Sequence, residues 1–289
     1  MEPLSCAWPA NAPAKEAFAA LVRREGARLY RDLPWRNVDD AYAVLVSEVM
    51  LQQTQVKRVL GRWERFLEKF PTPDALAAAS TSDVVGEWQG LGYNRRALAL
   101  KRACEICSQS YKGMFPDTVD ELMALPGIGP ATAAGVVAFA YNKPAMYLET
   151  NVRTVFLHEL FPGAEGVPDR EIEPLVRATC PKVNPRAWYY ALLDYGAHLK
   201  ATFGNASRRS AHYTRQSAFE GSRRQKRAEI VRLVLASAEG ISLVDAHKLL
   251  NDFEGKHGRD AVGDELFASI VGDLEREGFF SVEGGRASA

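Results

Sequence analysis

Cysteine is scarce. Cys6, Cys104, Cys107 and Cys180 are the four in 289 residues, too few to staple a domain of this length and suited to a reducing compartment. No uncharged apolar run is long enough to span a bilayer, which excludes a helical membrane protein. The start, Met1-Glu2-Pro3, lacks the basic residues and apolar stretch of a signal peptide, so a cytoplasmic location is expected. Net charge is missing as well: 36 Lys and Arg balance 36 Asp and Glu. That excludes a uniformly basic nucleic-acid coat protein, although not a basic face offset by an acidic one. No repeat recurs at a fixed period, which excludes a solenoid. What remains is an ordinary globular composition, 47% hydrophobic and 25% charged, in a chain long enough for two lobes.

Most of the chain reads as helix. Residues 14–31, 40–69 and 82–110 carry apolar side chains at three-and-four spacing with charged residues between them, the pattern of amphipathic helices. Pro34, Pro71, Pro73, Gly90, Gly92, Pro116 and the stretch Pro126 to Pro130 supply the breaks. Thr81 or Ser82 is expected to cap one helix, and Asp117-Thr118 a short one ending near Leu125. Cys104 and Cys107 sit within a helical run and read as buried thiols.

Charge marks where the chain changes character. From Lys200 to Arg227 there are eight basic residues against Glu220 alone, and from Ala238 onward eleven acids against five bases. The neutral total therefore hides a basic segment followed by an acidic end. That end reads as three helices near 224–237, 242–251 and 261–277, then a strand over Phe279-Phe280-Ser281-Val282, a pattern of the winged-helix kind. An acidic third helix meets phosphate with the wrong sign, so protein contact or structural support is the expected role.

Leu125-Pro126-Gly127-Ile128-Gly129-Pro130 lies between two helices. Two glycines two apart allow a tight turn and leave N–H groups unshielded by Cβ atoms, and Pro130 suits the first turn of the helix from Ala131 to Tyr141. Such a concavity grips a phosphate without reading sequence; the plainer reading is a glycine turn joining two core helices. The third glycine of a dinucleotide fingerprint is absent, with Thr132 in that region.

Pro34-Trp35-Arg36, the run Ser47-Glu48-Val49-Met50-Leu51-Gln52-Gln53-Thr54-Gln55-Val56, Gly90-Leu91-Gly92-Tyr93, the hairpin Leu125 to Gly129, and Asp194-Tyr195-Gly196-Ala197 together resemble the MutY-type adenine DNA glycosylases. These are a branch of the helix-hairpin-helix, endonuclease III-like superfamily. The resemblance covers residues 30–200 and implies an all-α, two-lobed fold. A six-helix barrel over 36–147 would carry the hairpin 125–130. Residues 1–35 and 148–223, with the basic segment 200–223, would form the second helical lobe. Residues 224–289 would form a small winged-helix-like module outside the resemblance.

The implied function is a monofunctional DNA N-glycosylase of base excision repair, working as a nucleoid-associated monomer on double-stranded DNA that carries a mismatch or lesion. It would evert a mispaired base, adenine opposite 8-oxoguanine or guanine, and hydrolyse its N-glycosidic bond. Hypoxanthine, or thymine or uracil mispaired with guanine, is an alternative base. A lesion-binding protein without turnover is an alternative of another class.

Glu48 matches the family's catalytic glutamate. It lies in the apolar run Val44 to Leu51, where desolvation disfavours the charged carboxylate and suits an acid that protonates a leaving purine; a surface glutamate between buried neighbours is the plainer reading. The family's second carboxylate is an aspartate, and here the run is Leu148-Glu149-Thr150-Asn151-Val152. Glu149 would face the cationic sugar on a longer arm with Asn151 beside it; a helix-capping glutamate is the less favoured reading. Ala131 stands where lyase-competent relatives carry lysine, so no Schiff base is expected. Gln52, Gln53 and Tyr93 match residues that fill the gap in the base stack and touch the opposite base, while Gly127, Gly129 and Ala131 belong to the DNA-gripping hairpin. Tyr93 reads equally as a turn aromatic packed on the core.

Two departures stand out. The family's four cluster-binding cysteines are absent, with no cysteine after Cys180, so no iron–sulfur cluster is expected. No cofactor is expected at all, apart from a monovalent ion that could sit at the hairpin. The stretch Asn205 to Arg227 would stand in the cluster's place, with Arg208-Arg209, His212-Tyr213 and Arg223-Arg224 as phosphate contacts or a solvated linker. The family's C-terminal reader of oxidised guanine is also absent, so that recognition would have to be made elsewhere.

Overall fold

The computed structural model describes residues 8–211, 213–215 and 217–289; Cys6 and His212 lie outside the described residues. In chain order the elements are α1 (Lys15–Arg28), α2 (Ala41–Leu51), α3 (Val56–Val59), α4 (Arg62–Lys69), α5 (Pro73–Ala78), α6 (Thr81–Trp88) and α7 (Arg95–Ser110). Then come α8 (Val119–Met123), α9 (Pro130–Phe139), α10 (Thr150–Leu160), α11 (Asp169–Thr179), α12 (Pro185–Thr202) and a 3-10 turn (Ala206–Arg209). The chain ends with α13 (Arg223–Leu235), β1 (Ile241–Ser242), α14 (Leu243–Lys256), α15 (Asp264–Arg276), β2 (Ser281–Glu283) and β3 (Arg286–Ser288). The fold is mostly helical, as expected, and no helix among the described residues is long and apolar enough to cross a membrane.

Several expected elements differ in detail. The helix expected over 40–69 is three, broken where Gln53 takes φ +52° and where Gly61 takes φ +74°. The periodicity reads through both breaks because Val59, Trp63 and Phe66 stay buried at helical spacing. The helix expected over 82–110 divides at the left-handed turn of Gly90 and Gly92. Ser80, not Thr81 or Ser82, caps α6, its hydroxyl accepting from the Asp83 N–H at 3.0 Å. Thr118 caps α8. The C-terminal strand begins at Ser281, because Phe279 and Phe280 turn into the core instead.

The chain divides into two compact units, Met1–Glu48 with Phe115–Arg215, and Val49–Met114 with Gln216–Ala289. This division does not follow the expected boundaries at 35, 147 and 223. In the second unit the C-terminal segment shares a core with the preceding helices: Val85 and Leu98 lie in one buried cluster with Ile230, Val234, Leu274 and Phe279. Apolar burial of that kind joins segments whatever their separation in sequence.

In the first unit α12 packs on α1 and α10, with the Phe18 ring 5.1 Å from Phe156 and 6.4 Å from Trp188. Asp194 of α12 is buried and receives Arg36 on both oxygens, at 2.7 and 2.8 Å, and Arg31 at 2.6 Å. This bidentate pairing ties the loop that leads to α2 onto α12.

In the second unit α5 and α6 pack on α7, whose Cys104 and Cys107 are fully buried, as their helical setting implied. Burial pushes both thiols up, Cys107 to about 11, so neither is a reactive thiolate. The C-terminal segment holds the three expected helices, and its strands form an antiparallel sheet in the order β1-β3-β2. Ile241 and Val282 both pair with Ala287. The basic and acidic stretches meet here: Arg223 bonds Asp273, Arg227 bonds Glu277 at 2.6 Å, and Glu254 accepts from Lys226 at 3.0 Å and Arg259 at 2.8 Å.

Candidate active site

α2 starts on Asp40, whose carboxylate accepts from the Tyr42 N–H at 3.0 Å. It then runs through Val44, Leu45, Val46, Val49 and Met50, all buried. Glu48 sits in that run and is partly buried. Its Oε2 accepts from the Tyr147 hydroxyl at 3.2 Å. Gly135 of α9 provides the room, because a Cβ there would collide with Glu48 Oε2 and touch the Tyr147 ring. Burial pushes the Glu48 carboxyl up to about 8; the Tyr147 hydrogen bond pulls it down, and the charge of Glu149 adds to the rise. At neutral pH Glu48 therefore holds a proton, as a general acid must.

Glu149 is the N-cap of α10, as the less favoured sequence reading had it. Its Oε1 accepts from the Asn151 N–H at 2.5 Å and the Val152 N–H at 2.9 Å. The second oxygen, Oε2, lies 3.5 Å from Asn151 Nδ2. Burial raises the carboxyl, and the two backbone amides pull it down. The longer arm of glutamate is what lets one oxygen cap the helix. Asn151 Oδ1 is buried with no hydrogen-bond partner, an unsatisfied acceptor beside the carboxylates.

Tyr147 was not singled out in the sequence. It is 5% exposed, with its ring edge-on to Phe139 at 5.1 Å and to Tyr189 at 5.3 Å. Burial first, then the charges of Glu48 and Glu149, hold its phenol well above the ordinary range. The signal available was its position two residues before Glu149. Glu48, Tyr147, Glu149 and Asn151 are thus brought together in the first unit, although Glu48 lies far from the rest in sequence.

The hairpin lies in the same unit. Leu125 and Ile128 are buried and anchor it, while Gly127 turns the chain at φ +74°, where L side chains are strained. Gly129 takes an ordinary φ of −88° as the N-cap of α9, followed by Pro130. A Cβ at Gly129 would meet nothing within 4 Å, so no intramolecular contact requires glycine there. Helix geometry leaves the first amide of α9, that of Ala131, without an intrahelical carbonyl.

Gln52, Gln53 and Tyr93 belong to the second unit. Gln53 and Tyr93 both take left-handed backbones, φ +52° and +50°. Arg96, also missed in the sequence, ties their loops together. One guanidinium nitrogen donates to the Val49 carbonyl at 2.7 Å and the Gln52 carbonyl at 2.5 Å, the other to the Gly92 carbonyl at 2.8 Å. Burial lowers Arg96 to about 10. Tyr93 is not a plain core aromatic, since its hydroxyl accepts from Arg224.

The expected phosphate contacts divide. Arg208 is exposed. Arg209 is not available: it donates to the Phe161 carbonyl at 2.9 Å and the Leu157 carbonyl at 2.6 Å, closing the C-terminal end of α10 where carbonyls lack helical partners. Arg223 and Arg224 are engaged within the second unit. The residues present do not fit a four-thiolate iron–sulfur cluster, since the described cysteines are two buried helical thiols and Cys180.

Residues 46–179 match the family described as HhH-GPD superfamily base excision DNA repair protein. The chain is 38% identical over 179 residues to an adenine DNA glycosylase of Mycobacterium tuberculosis, across 59% of this chain and 57% of that one. It is 39% identical over 170 residues to an adenine DNA glycosylase of Mycolicibacterium smegmatis, across 58% of each. The chain therefore spans somewhat more than half the length of these curated relatives. Among solved structures it resembles a thermostable thymine-DNA glycosylase with a TM-score of 0.57 and 22% identity, over 63% of this chain and 86% of that one, a likeness of fold.

Proposed function

We propose that the chain, whose residues 46–179 match the HhH-GPD superfamily of base excision DNA repair proteins, is a MutY-type monofunctional DNA N-glycosylase. It removes an everted adenine opposite guanine or 8-oxoguanine. The observation that carries this reading is the Glu48 carboxyl, buried, bonded to Tyr147 and pushed up to about 8. Such an acid gives its proton to N7 of adenine as the N9–C1′ bond breaks and the bonding pair leaves with the purine. The sugar is left as an oxocarbenium-like cation. Glu149 Oε2 is the carboxylate oxygen not spent on the helix cap, and at ~4 Å with an effective dielectric of ~20 a carboxylate stabilises such a cation by about 4 kcal/mol. That is worth roughly three decades of rate. Water then adds to C1′ and returns a proton to Glu48, closing the cycle. The orphan Oδ1 of Asn151 is an acceptor of the kind that holds such a water.

The hairpin amides and the exposed Arg208 grip phosphate on double-stranded DNA, which positions the duplex without reading it. The test is single-turnover incubation of wild type, Glu48→Gln and Glu149→Ala with duplexes carrying adenine, hypoxanthine, thymine or uracil opposite guanine, and adenine opposite 8-oxoguanine. Alkali then reveals abasic sites. Adenine release by wild type alone supports the reading. Binding without release from any duplex at any pH overturns it in favour of a lesion-binding protein.

A further inference from the structure

Tyr189 of α12 is fully buried in the first unit, and its hydroxyl is used in both directions on one stretch of backbone. It donates to the Ala145 carbonyl and accepts from the Tyr147 N–H at 3.3 Å. A phenol suits this double role, because it carries a donor and acceptor lone pairs on one atom at the end of a rigid ring. Burial holds the Tyr189 phenol far above the ordinary range, so the donor stays in place at any working pH. The residues it grips belong to the connection between α9 and α10, which contains no helix or strand of its own to fix it. The Tyr189 ring stands edge-on to Tyr147 at 5.3 Å and to Phe139 of α9 at 6.5 Å. From the gripped segment the Tyr147 hydroxyl reaches Glu48 Oε2, and two residues further on Glu149 caps α10. Tyr190, the next residue of α12, stacks on the same Phe139 at 5.0 Å, but its hydroxyl makes no such bond.

We propose that Tyr189 is a positioning residue for base excision, its hydroxyl clamping the backbone at Ala145 and Tyr147 so that the Tyr147 phenol stays on Glu48. Tyr189 touches neither the substrate nor the reacting atoms and acts only through Tyr147. An irregular segment without the clamp has to give up conformational freedom each time the phenol docks; with the clamp that ordering is already made when the substrate arrives. Loss of the hydroxyl also strips a partner from one backbone carbonyl and one backbone amide, which then turn elsewhere for one. The Tyr147 bond favours the charged form of Glu48, so a loosened phenol lets the carboxyl keep its proton to higher pH. The inference rests on the glycosylase reading above and adds to it the group that sets the geometry of the acid's partner.

The experiment compares wild type, Tyr189→Phe, Tyr190→Phe, Tyr147→Phe and the double variant Tyr147→Phe/Tyr189→Phe in single-turnover base release across pH. The Glu48 carboxyl is followed in parallel, without DNA, by carbon-13 NMR of protein labelled at the glutamate carboxyls, with Glu48→Gln assigning the signal. Tyr189→Phe keeps the ring and should slow release about 3–10-fold at neutral pH with DNA affinity unchanged. The alkaline limb of its pH profile and its Glu48 titration should both move to higher pH. Tyr190→Phe should match wild type. In the Tyr147→Phe background the Tyr189 change should add less than about twofold, because residues that act through one another are not additive. A slowing with the limb and the titration unmoved, full additivity with Tyr147→Phe, an equal effect of Tyr190→Phe, or no effect at all overturns the inference. Hydrogen exchange of the Tyr147 amide tests the clamp in the wild type alone, and exchange at the rate of an open loop overturns it. A wild type that releases no base overturns the glycosylase reading instead, and the titration and the exchange still decide the role of Tyr189.

Discussion

Glu48 in the first unit and Glu254 in the second are both glutamates drawn out of water, with opposite results. Glu254 is fully buried but receives Lys226 at 3.0 Å and Arg259 at 2.8 Å, and the Arg259 hydrogen bonds hold its carboxyl below the ordinary range. Glu48 is bonded to a tyrosine hydroxyl and sits near another carboxylate, and burial drives it up to about 8. Burial alone therefore does not make a carboxyl reactive. The neighbour decides whether it becomes a fixed anion that joins segments or a proton donor at neutral pH. The second unit uses Glu254 as a structural anion, and the first keeps Glu48 and Glu149 under the net effect of burial, which raises both.

The largest expected effect comes from the first member of the comparison. Glu48→Gln, which keeps shape and loses the exchangeable proton, should slow base release by about 10²–10⁴-fold in single-turnover assays. A loss under tenfold would break the assignment. The second effect is on stability and has opposite signs at the two sites. The folded carboxyl of Glu48 lies above its unfolded value, so its cost appears as pH rises from about 4.5 to about 8. Glu48→Gln should therefore be indistinguishable from wild type near pH 4 and more stable by up to about 5 kcal/mol at pH 9. Glu254, held low, stabilises above the ordinary glutamate range and loses that contribution as pH falls through its folded value. Glu254→Gln should cost about 2–4 kcal/mol at neutral pH and progressively less in acid, as read by urea unfolding across pH. Equal pH profiles for the two variants would dissolve the distinction.

The cations divide in the same way, with a smaller expected effect. Arg208→Ala should flatten the dependence of DNA affinity on salt by roughly one unit of slope. Arg209→Ala should leave the slope alone and lower the melting temperature, because its donors serve carbonyls of α10. A slope change for Arg209 instead would restore it as a phosphate contact. The smallest effect is an expected blank: with Ala131 on α9, borohydride should trap little covalent protein–DNA adduct. High-yield trapping would require an amine that the site has not been assigned.

Much of this was legible before any coordinates. The apolar neighbours of Glu48 announced its desolvation, the glycines of 125–130 announced the hairpin, and the helical setting of Cys104 and Cys107 announced inert thiols. Other features were hidden for specific reasons. The break after Leu51 leaves no trace in hydrophobic periodicity, because the residues beyond it stay buried at the same spacing. Glu149 caps α10 although aspartate, asparagine and serine are the usual caps, and Asn151 standing in its family place made that reading look weaker. Arg209 and Arg223 looked like phosphate ligands because a run of charge does not state its partner. The strong opposite charges of the two C-terminal stretches hinted at the answer, since each neutralises the other within one unit.

The sequence by itself determined the helical class, the glycine hairpin and the apolar setting of Glu48, because these depend on residue type and short spacing. Only the tertiary structure decided that Tyr147 bonds Glu48, that Glu149 spends one oxygen on a helix end, and that the C-terminal segment shares a core with residues 49–114. The first and the last depend on side chains that meet across long stretches of sequence, 99 residues for Tyr147 and Glu48, and such meetings are set by packing that local pattern does not encode; the cap is local, and the backbone of the first turn of α10 decides it.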